Sequence, residues 1–182
     1  GVELVEHVEV AGFARDGGKV TGVRTATADV RARTVVVAAG AWAAALAPDA
    51  PPVRPVKGQI ASLRATGESA PTHVVRTPRC YMLAREDGRV VLGATVEERG
   101  FDATTTADGV FRLLEAAREV LPDVGELEWT EVQAGLRPGT PDNLPMVGRD
   151  PSSGLVWATG HYRNGVLLAP LTGQMVAELI DE

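Results

Sequence analysis

The stretch Arg33-Thr-Val-Val-Val-Ala-Ala-Gly40 decides the fold class. It is a short, unbroken apolar run that ends on glycine, the pattern of a strand buried on both faces in a parallel sheet. The carboxyl end of such a strand is where α/β sheets bind ligands. A second strand candidate, residues 154–159, leads into the glycine-bounded loop Gly160-His-Tyr-Arg-Asn-Gly165 and then a closing helix to about Ile180. Pro170 has no amide hydrogen, so a regular helix is expected to begin near Leu167 or to bend at the proline.

Upstream of the deciding stretch, residues 2–10 (VELVEHVEV) alternate as a strand does, Gly17-Gly18 supplies a turn, and residues 19–27 read as the partner of a hairpin. Downstream, Pro48, Pro51, Pro52 and Pro55 should stop regular structure, and a domain crossover is expected there. Strand candidates follow at residues 59–65, 73–76, 81–85 and 90–94, the last two joined by a turn through Asp87-Gly88. Residues 107–121 predict an amphipathic helix, with Val110, Leu113, Leu114 and Ala117 on one face, Thr106 as its cap and Pro122 as its stop. Residues 127–136 are a further strand candidate. The order reads as an α/β (α+β) chain in which sheet-type ends flank a mostly antiparallel middle.

With 182 residues, 45% of them hydrophobic, the chain has ample material for a core. The net charge of −6, with Lys and Arg scattered singly, offers neither a basic stripe for a phosphate backbone nor a polybasic face for anionic lipid, so no nucleic acid and no membrane partner is expected. The longest apolar run, residues 35–46, is interrupted by Gly40 and falls short of the roughly 20 residues a spanning helix needs. Cys80 is the single cysteine and cannot form an internal disulfide, which points to a cytoplasmic location. The chain begins at Gly1 without an initiator methionine, and is read as a fragment or processed piece. His7, His73 and His161 lack metal-ligand spacing, so no metal site is expected, and Glu97-Glu98 and residues 126–131 read as solvated faces.

Four stretches taken in order carry a resemblance: residues 34–42 (TVVVAAGAW), 55–59 (PVKGQ), 134–148 (AGLRPGTPDNLPMVG) and 160–170 (GHYRNGVLLAP). Together, with Tyr81 and residues 91–97 (VLGATVE), they resemble the C-terminal half of the D-amino-acid oxidase and glycine oxidase family of flavoenzymes, in the glycine oxidase branch that serves thiamine biosynthesis. The resemblance covers essentially the whole chain. It implies part of an FAD-binding domain of glutathione-reductase type (residues 1–47 and 143–182) and a substrate domain with a mixed, mostly antiparallel sheet (residues 48–142). The Gly-x-Gly-x-x-Gly turn that holds the FAD pyrophosphate in such domains is absent from these residues.

The resemblance also implies roles. Arg137 matches the anchor of the substrate carboxylate, a task suited to a guanidinium because two parallel charge-assisted bonds fix both position and orientation. Taken alone, Leu-Arg-Pro is as readily a surface arginine at a strand end. Tyr81 would offer its hydroxyl to the same carboxylate, or else be a half-buried strand aromatic. Val96 matches a pocket-lining position where the family commonly has a larger side chain, which admits a bulkier amine. In the loop and the residues after it, Gly160, His161, Tyr162, Arg163, Asn164, Gly165, Val166 and Leu167 would meet the flavin pyrimidine edge, with Arg163 also touching substrate through its main chain. The glycines allow close backbone approach, and the helix start directs positive charge at the charge that develops near N1 on reduction. Val10 would touch the adenine, and Ala39, Gly40, Trp42 and Gly58 would lie near the cofactor. No catalytic acid or base is implied, because such chemistry asks the protein mainly to orient substrate and tune the cofactor.

The implied activity is oxidation of a small amino acid, glycine to iminoacetate foremost, with oxygen reduced to hydrogen peroxide. A D-amino acid, sarcosine or another N-methylated amine, oxidised by an oxidase or a dehydrogenase, is the alternative of the same kind. A truncated, non-catalytic fragment is the alternative of another kind, and a homo-oligomer is left open.

Overall fold

The computed structural model describes residues 2–48, 50–65 and 70–181. Residues 1, 49, 66–69 and 182, which fall within the expected spans 1–47, 48–142 and 143–182, lie outside the described residues. The chain divides into two compact units, residues 1–54 with 137–182 and residues 55–136. The α/β class is as expected.

In the first unit, β1 (Val10–Asp16), β2 (Lys19–Thr25) and β3 (Asp29–Arg31) form an antiparallel meander. Gly17 and Gly18, at φ 53° and 86°, make the two-residue turn with Asp16 opposite Lys19. That turn corrects the first expectation. A two-residue loop fixes the register so that the strand is the segment abutting Gly17, residues 10–16, and residues 2–9 form none. Val2, Leu4 and Val5 are 100%, 79% and 64% exposed, so their alternation has no sheet to serve. Residues 10–16 escape a period-two reading because bulges interrupt the register between Val10 and Gly12 and between Ala14 and Arg15.

The deciding stretch contributes β4 (Val36–Val37), which pairs in parallel with β11 (Val156–Thr159); β10 (Met146–Arg149) pairs antiparallel with the other edge of β11. Phe13, Val37, Ala43, Ala47, Leu155 and Trp157 form the core between this sheet and the meander. Lys19 Nζ donates to the Pro151 carbonyl at 2.7 Å and the Val20 amide to Ser153 at 2.8 Å, tying the two sheets together. The Asp150 carboxylate accepts from the hydroxyls and amides of Ser152 and Ser153 and closes the β10–β11 connection; the Ser153 hydroxyl above all holds it well below the usual carboxylate range.

The closing helix α2 (Gly165–Asp181) starts two residues before the expected Leu167 and contains Pro170. The proline removes one amide from the ladder, and the carbonyl deprived of it belongs to Val166, which is 94% exposed and can turn to water.

The second unit is a five-stranded sheet in the order β6-β7-β8-β5-β9, built from β5 (Arg54–Arg64), β6 (Val75–Arg76), β7 (Tyr81–Ala84), β8 (Arg89–Gly93) and β9 (Glu128–Gly139). The pairs β5–β8, β7–β8 and β6–β7 are antiparallel. Pro55 is the second residue of β5, so regular structure resumes earlier than the prolines suggest; a strand tolerates proline at its start, before the ladder needs every amide. The chain passes between the units within β5 and within β9.

The helix α1 (Ala107–Arg118) covers one face of this sheet. Its Leu113, Ala116 and Ala117 pack with Ala61, Leu63, Met82, Val90 and Leu92. The Thr106 hydroxyl caps it by accepting from the Gly109 amide at 3.2 Å. A Cβ on Gly109 would stand 2.2 Å from Gln59 Nε2, and Gln59 is itself fully buried and bonded to Thr106 and Glu97. Helix propensity alone favours Gly109→Ala by about 1 kcal/mol. Overpacking against an anchored side chain costs about 1–3 kcal/mol and wins. Gly109→Ala is therefore expected to lower the melting temperature by several degrees in a thermal unfolding scan; an unchanged or raised temperature would contradict the packing.

Candidate functional site

In the first unit, parallel pairing makes β4 and β11 end on the same side. The Thr159 hydroxyl donates to the Gly40 carbonyl at 3.1 Å, so two segments 119 residues apart in sequence emerge together. Gly40, at φ 54°, opens a 3₁₀ turn (Gly40–Ala45) that buries Ala41 and Ala43 and leaves Trp42 54% exposed. Ala39 takes the Trp42 amide on its carbonyl at 3.0 Å.

After β11 the chain passes through Gly160 at φ 77°. A Cβ here would lie 2.5 Å from Thr140 Cγ2 and 3.3 Å from the Leu144 carbonyl, so the close approach of residues 140–146 demands glycine. Those residues are braced in turn. Arg54 donates to the Thr140 carbonyl at 2.6 Å, and the Asp142 carboxylate, held below its ordinary range chiefly by the Leu144 amide, accepts from that amide at 3.0 Å. Tyr162 adopts φ 48°, uncommon for an aromatic residue, and its amide donates to the Pro138 carbonyl at 3.0 Å. The half-buried Arg137 is thereby placed one residue from the carbonyl that holds the loop. Arg163 stacks over the Tyr162 ring at 5.4 Å, and His161 Nε2 pairs with the Thr172 hydroxyl of α2 at 2.8 Å. The Leu168 amide bonds to Asn164 as the first helical bond, which leaves the amides of Gly165, Val166 and Leu167 without helical acceptors.

Val10 opens β1 opposite Thr25 in the meander. Beside it is a cleft of about 550 Å³ whose lining includes Gly12, Phe13, Arg15, Arg24, Asp29 and Leu46. Its two arginines belong to no motif, and the sequence did not single them out.

The second unit carries the other expected residues. Gly58 is buried in β5 between Lys57 and Gln59. Tyr81 lies across from Gly93, and a Cβ on Gly93 would come within 2.5 Å of the Tyr81 ring, so the tyrosine lies on a surface only glycine provides. Val96 is 52% exposed. Its neighbour Glu97 corrects an expectation: it is only 15% exposed at its side chain, bonds to Gln59 and Thr95, and pairs with the fully buried Lys57 at 3.8 Å. Burial opposes the charge on Glu97, and the Thr95 and Gln59 hydrogen bonds with Lys57 nearby more than offset it, holding the carboxyl below its usual range. The Lys-Gly-Gln triplet was the available signal for this cluster. Among the described residues no group of three or more His, Cys, Asp or Glu side chains converges as a metal site.

The strand ends fit a flavin edge. A Cβ at Gly40 would meet nothing within 4 Å, so the backbone there is open to a close planar neighbour. The loop following β11 delivers the free amides of a 17-residue helix to the same edge. These donors suit an acceptor that gains negative charge.

Comparison with known proteins identifies the family. The family described as FAD dependent oxidoreductase (DAO) matches residues 1–179. A glycine oxidase of Pseudomonas aeruginosa is 39% identical over 183 residues, 98% of this chain and 50% of its own length. A bifunctional protein ThiO/ThiG of Nostoc sp. is 41% identical over 186 residues, 100% of this chain and 28% of its own length. The crystal structure of a glycine oxidase from Bacillus cereus superposes with a TM-score of 0.88 at 35% identity, over 97% of this chain and 50% of that one. The chain thus spans about half the length of the glycine oxidases it matches. It belongs to the DAO family of FAD-dependent oxidoreductases.

Proposed function

We propose that the chain is the part of an amino-acid oxidase that presents the flavin pyrimidine edge and the substrate, and that the full protein oxidises a small amino acid, glycine foremost, to its imine. The observation that carries this reading is the strand-end arrangement, with Gly40, Gly160 and the α2 amides at one edge and Arg137 beside the carbonyl that holds the loop. When bound, FAD would supply the two-electron chemistry that takes the amino acid to its imine with oxygen as the final oxidant.

The residues of this chain bind and orient. Arg137 holds the carboxylate and so fixes the α-carbon, Tyr81 donates its hydroxyl to the substrate, Val96 bounds the space for its side chain, and Arg163 contributes its main chain. The amides of Gly165, Val166 and Leu167 stabilise negative charge at the flavin edge, while Ala39, Gly40, Trp42, Gly58 and Val10 make cofactor contacts. Glycine to iminoacetate, feeding the thiazole of thiamine, is the most specific version, supported by the glycine oxidases at 39% and 35% identity. The modest volume of Val96 favours a second reading in which a bulkier amine such as D-alanine or sarcosine is accepted. The buried single thiol, Cys80, suits the cytoplasm. No helix is long and apolar enough to cross a membrane among the described residues.

The full-length protein is expected to carry FAD whose visible absorbance is bleached anaerobically by glycine, sarcosine or D-alanine. Arg137→Ala should raise KM by roughly two orders of magnitude, the worth of two charge-assisted bonds at about 3 kcal/mol in all. A folded full-length protein without flavin, or one whose flavin none of these amines reduces, would overturn the reading. Tyr81 provides a second check. Gly93→Ala should destabilise the protein through the tyrosine ring and do so far less in a Tyr81→Ala background, with a coupling of about 1 kcal/mol or more in a double-mutant unfolding cycle; additive losses would contradict the contact.

A further inference from the structure

Residues 94–98 continue beyond β8 and are held to β5 by three backbone bonds, the Lys57 amide to the Glu97 carbonyl at 2.9 Å, the Glu97 amide to the Lys57 carbonyl at 3.0 Å and the Thr95 amide to the Gln59 carbonyl at 3.2 Å. Side chains add to these, beginning with the Gln59 amide, which donates to the Thr95 hydroxyl at 2.8 Å. Glu97 Oε1 accepts from Gln59 Nε2 at 2.7 Å and from the Thr95 hydroxyl at 2.6 Å, and Glu97 Oε2 faces Lys57 Nζ at 3.8 Å. The same ammonium lies 3.6 Å from Asp102. Gln59 Oε1 accepts the Thr106 amide at 2.8 Å, which joins the cluster to the start of α1.

Thr95 and Glu97 therefore both turn toward Gln59, and the residue between them is turned the other way. Val96 is a β-branched side chain presented half-exposed by a backbone pinned on both sides of it. Burying a lysine and a carboxylate is a costly way to gain stability, since an apolar pair of similar volume commonly does as well or better. What an ionic cluster adds is a single backbone position.

Resting on the amino-acid oxidase reading above, we propose that the buried cluster of Lys57, Gln59, Thr95 and Glu97 positions Val96 and thereby sets which substituent on the amine substrate is admitted. Lys57, Gln59, Thr95 and Glu97 are positioning residues and touch no substrate. The cluster converts a small side chain into a wall of fixed place.

The test uses the full-length flavoprotein and its Glu97→Gln variant, which keeps the side-chain shape and removes the charge facing Lys57. Two readouts are needed: amide hydrogen exchange of residues 94–98, and the ratio of kcat/KM for glycine to that for D-alanine and for sarcosine. The expected result is faster exchange in this segment and a ratio shifted roughly fivefold or more, comparable with the roughly tenfold worth of one methylene in a pocket. Thr95→Val, which leaves both charges in place, carries the same test if Glu97→Gln fails to fold. Unchanged exchange would show that the cluster does not hold the segment, and faster exchange with an unmoved ratio would show that its role is structural only; either overturns the proposal while leaving the oxidase reading intact. A wild-type protein that oxidises none of the three amines overturns both.

Discussion

The parallel pairing of β4 with β11 is the constraint on which the first unit depends. It consists of two residue pairs, Val156 with Val36 and Trp157 with Val37. Parallel strands point their carboxyl ends the same way, so this short ladder alone decides that Gly40 and Gly160 leave the sheet at one edge. The meander, the 3₁₀ turn and the β10–β11 hairpin are arranged around it, with Val37 and Trp157 buried between them. Had β4 paired antiparallel, the glycine turn and the amides of α2 would face opposite ends, and the same residues would make no site.

The second unit divides its labour between two kinds of contact. Leu92, Leu63 and Met82 of the sheet and Leu113 of α1 are fully or almost fully buried against one another, and each such side chain is worth about 1.5–3 kcal/mol of transfer free energy. This apolar layer supplies stability. The ionic cluster of Lys57, Glu97 and Asp102 with Gln59 supplies little, but it fixes the segment that follows β8 and the start of α1 relative to β5. Two glycines, Gly93 and Gly109, are the spaces that make the layers fit, one under Tyr81 and one over Gln59.

Much of this was legible in the residues. The apolar run into Gly40, the strands β7 and β8 with the Asp87-Gly88 turn between them, and the helix from Ala107 capped by Thr106 all follow from local pattern, and each is found. The elements that were not legible depend on partners distant in sequence. Residues 2–9 alternate correctly yet meet no neighbouring strand, while β1 is a true strand disguised by two bulges. β10 has only four residues and is specified by β11 rather than by its own pattern. Glu97 read as solvated because a Glu-Glu pair usually is; only the fold reveals a buried lysine 40 residues earlier in the chain beside it. The strand-end glycines and Arg137 were visible through their motifs, whereas the cleft lined by Arg15 and Arg24 arises from tertiary packing.

The claim that the free amides at the start of α2 serve the flavin can be tested by removing one of them. Proline is tolerated at the first position of a helix, so Gly165→Pro deletes that amide hydrogen with little cost to folding. The measurement is the two-electron midpoint potential of the flavin in full-length wild-type and variant protein, taken spectroelectrochemically. A fall of about 30 mV or more, the equivalent of roughly 1.4 kcal/mol lost from the reduced state, is the predicted result. An unchanged potential in a variant that retains its full complement of FAD would contradict the assignment of this loop to the flavin edge.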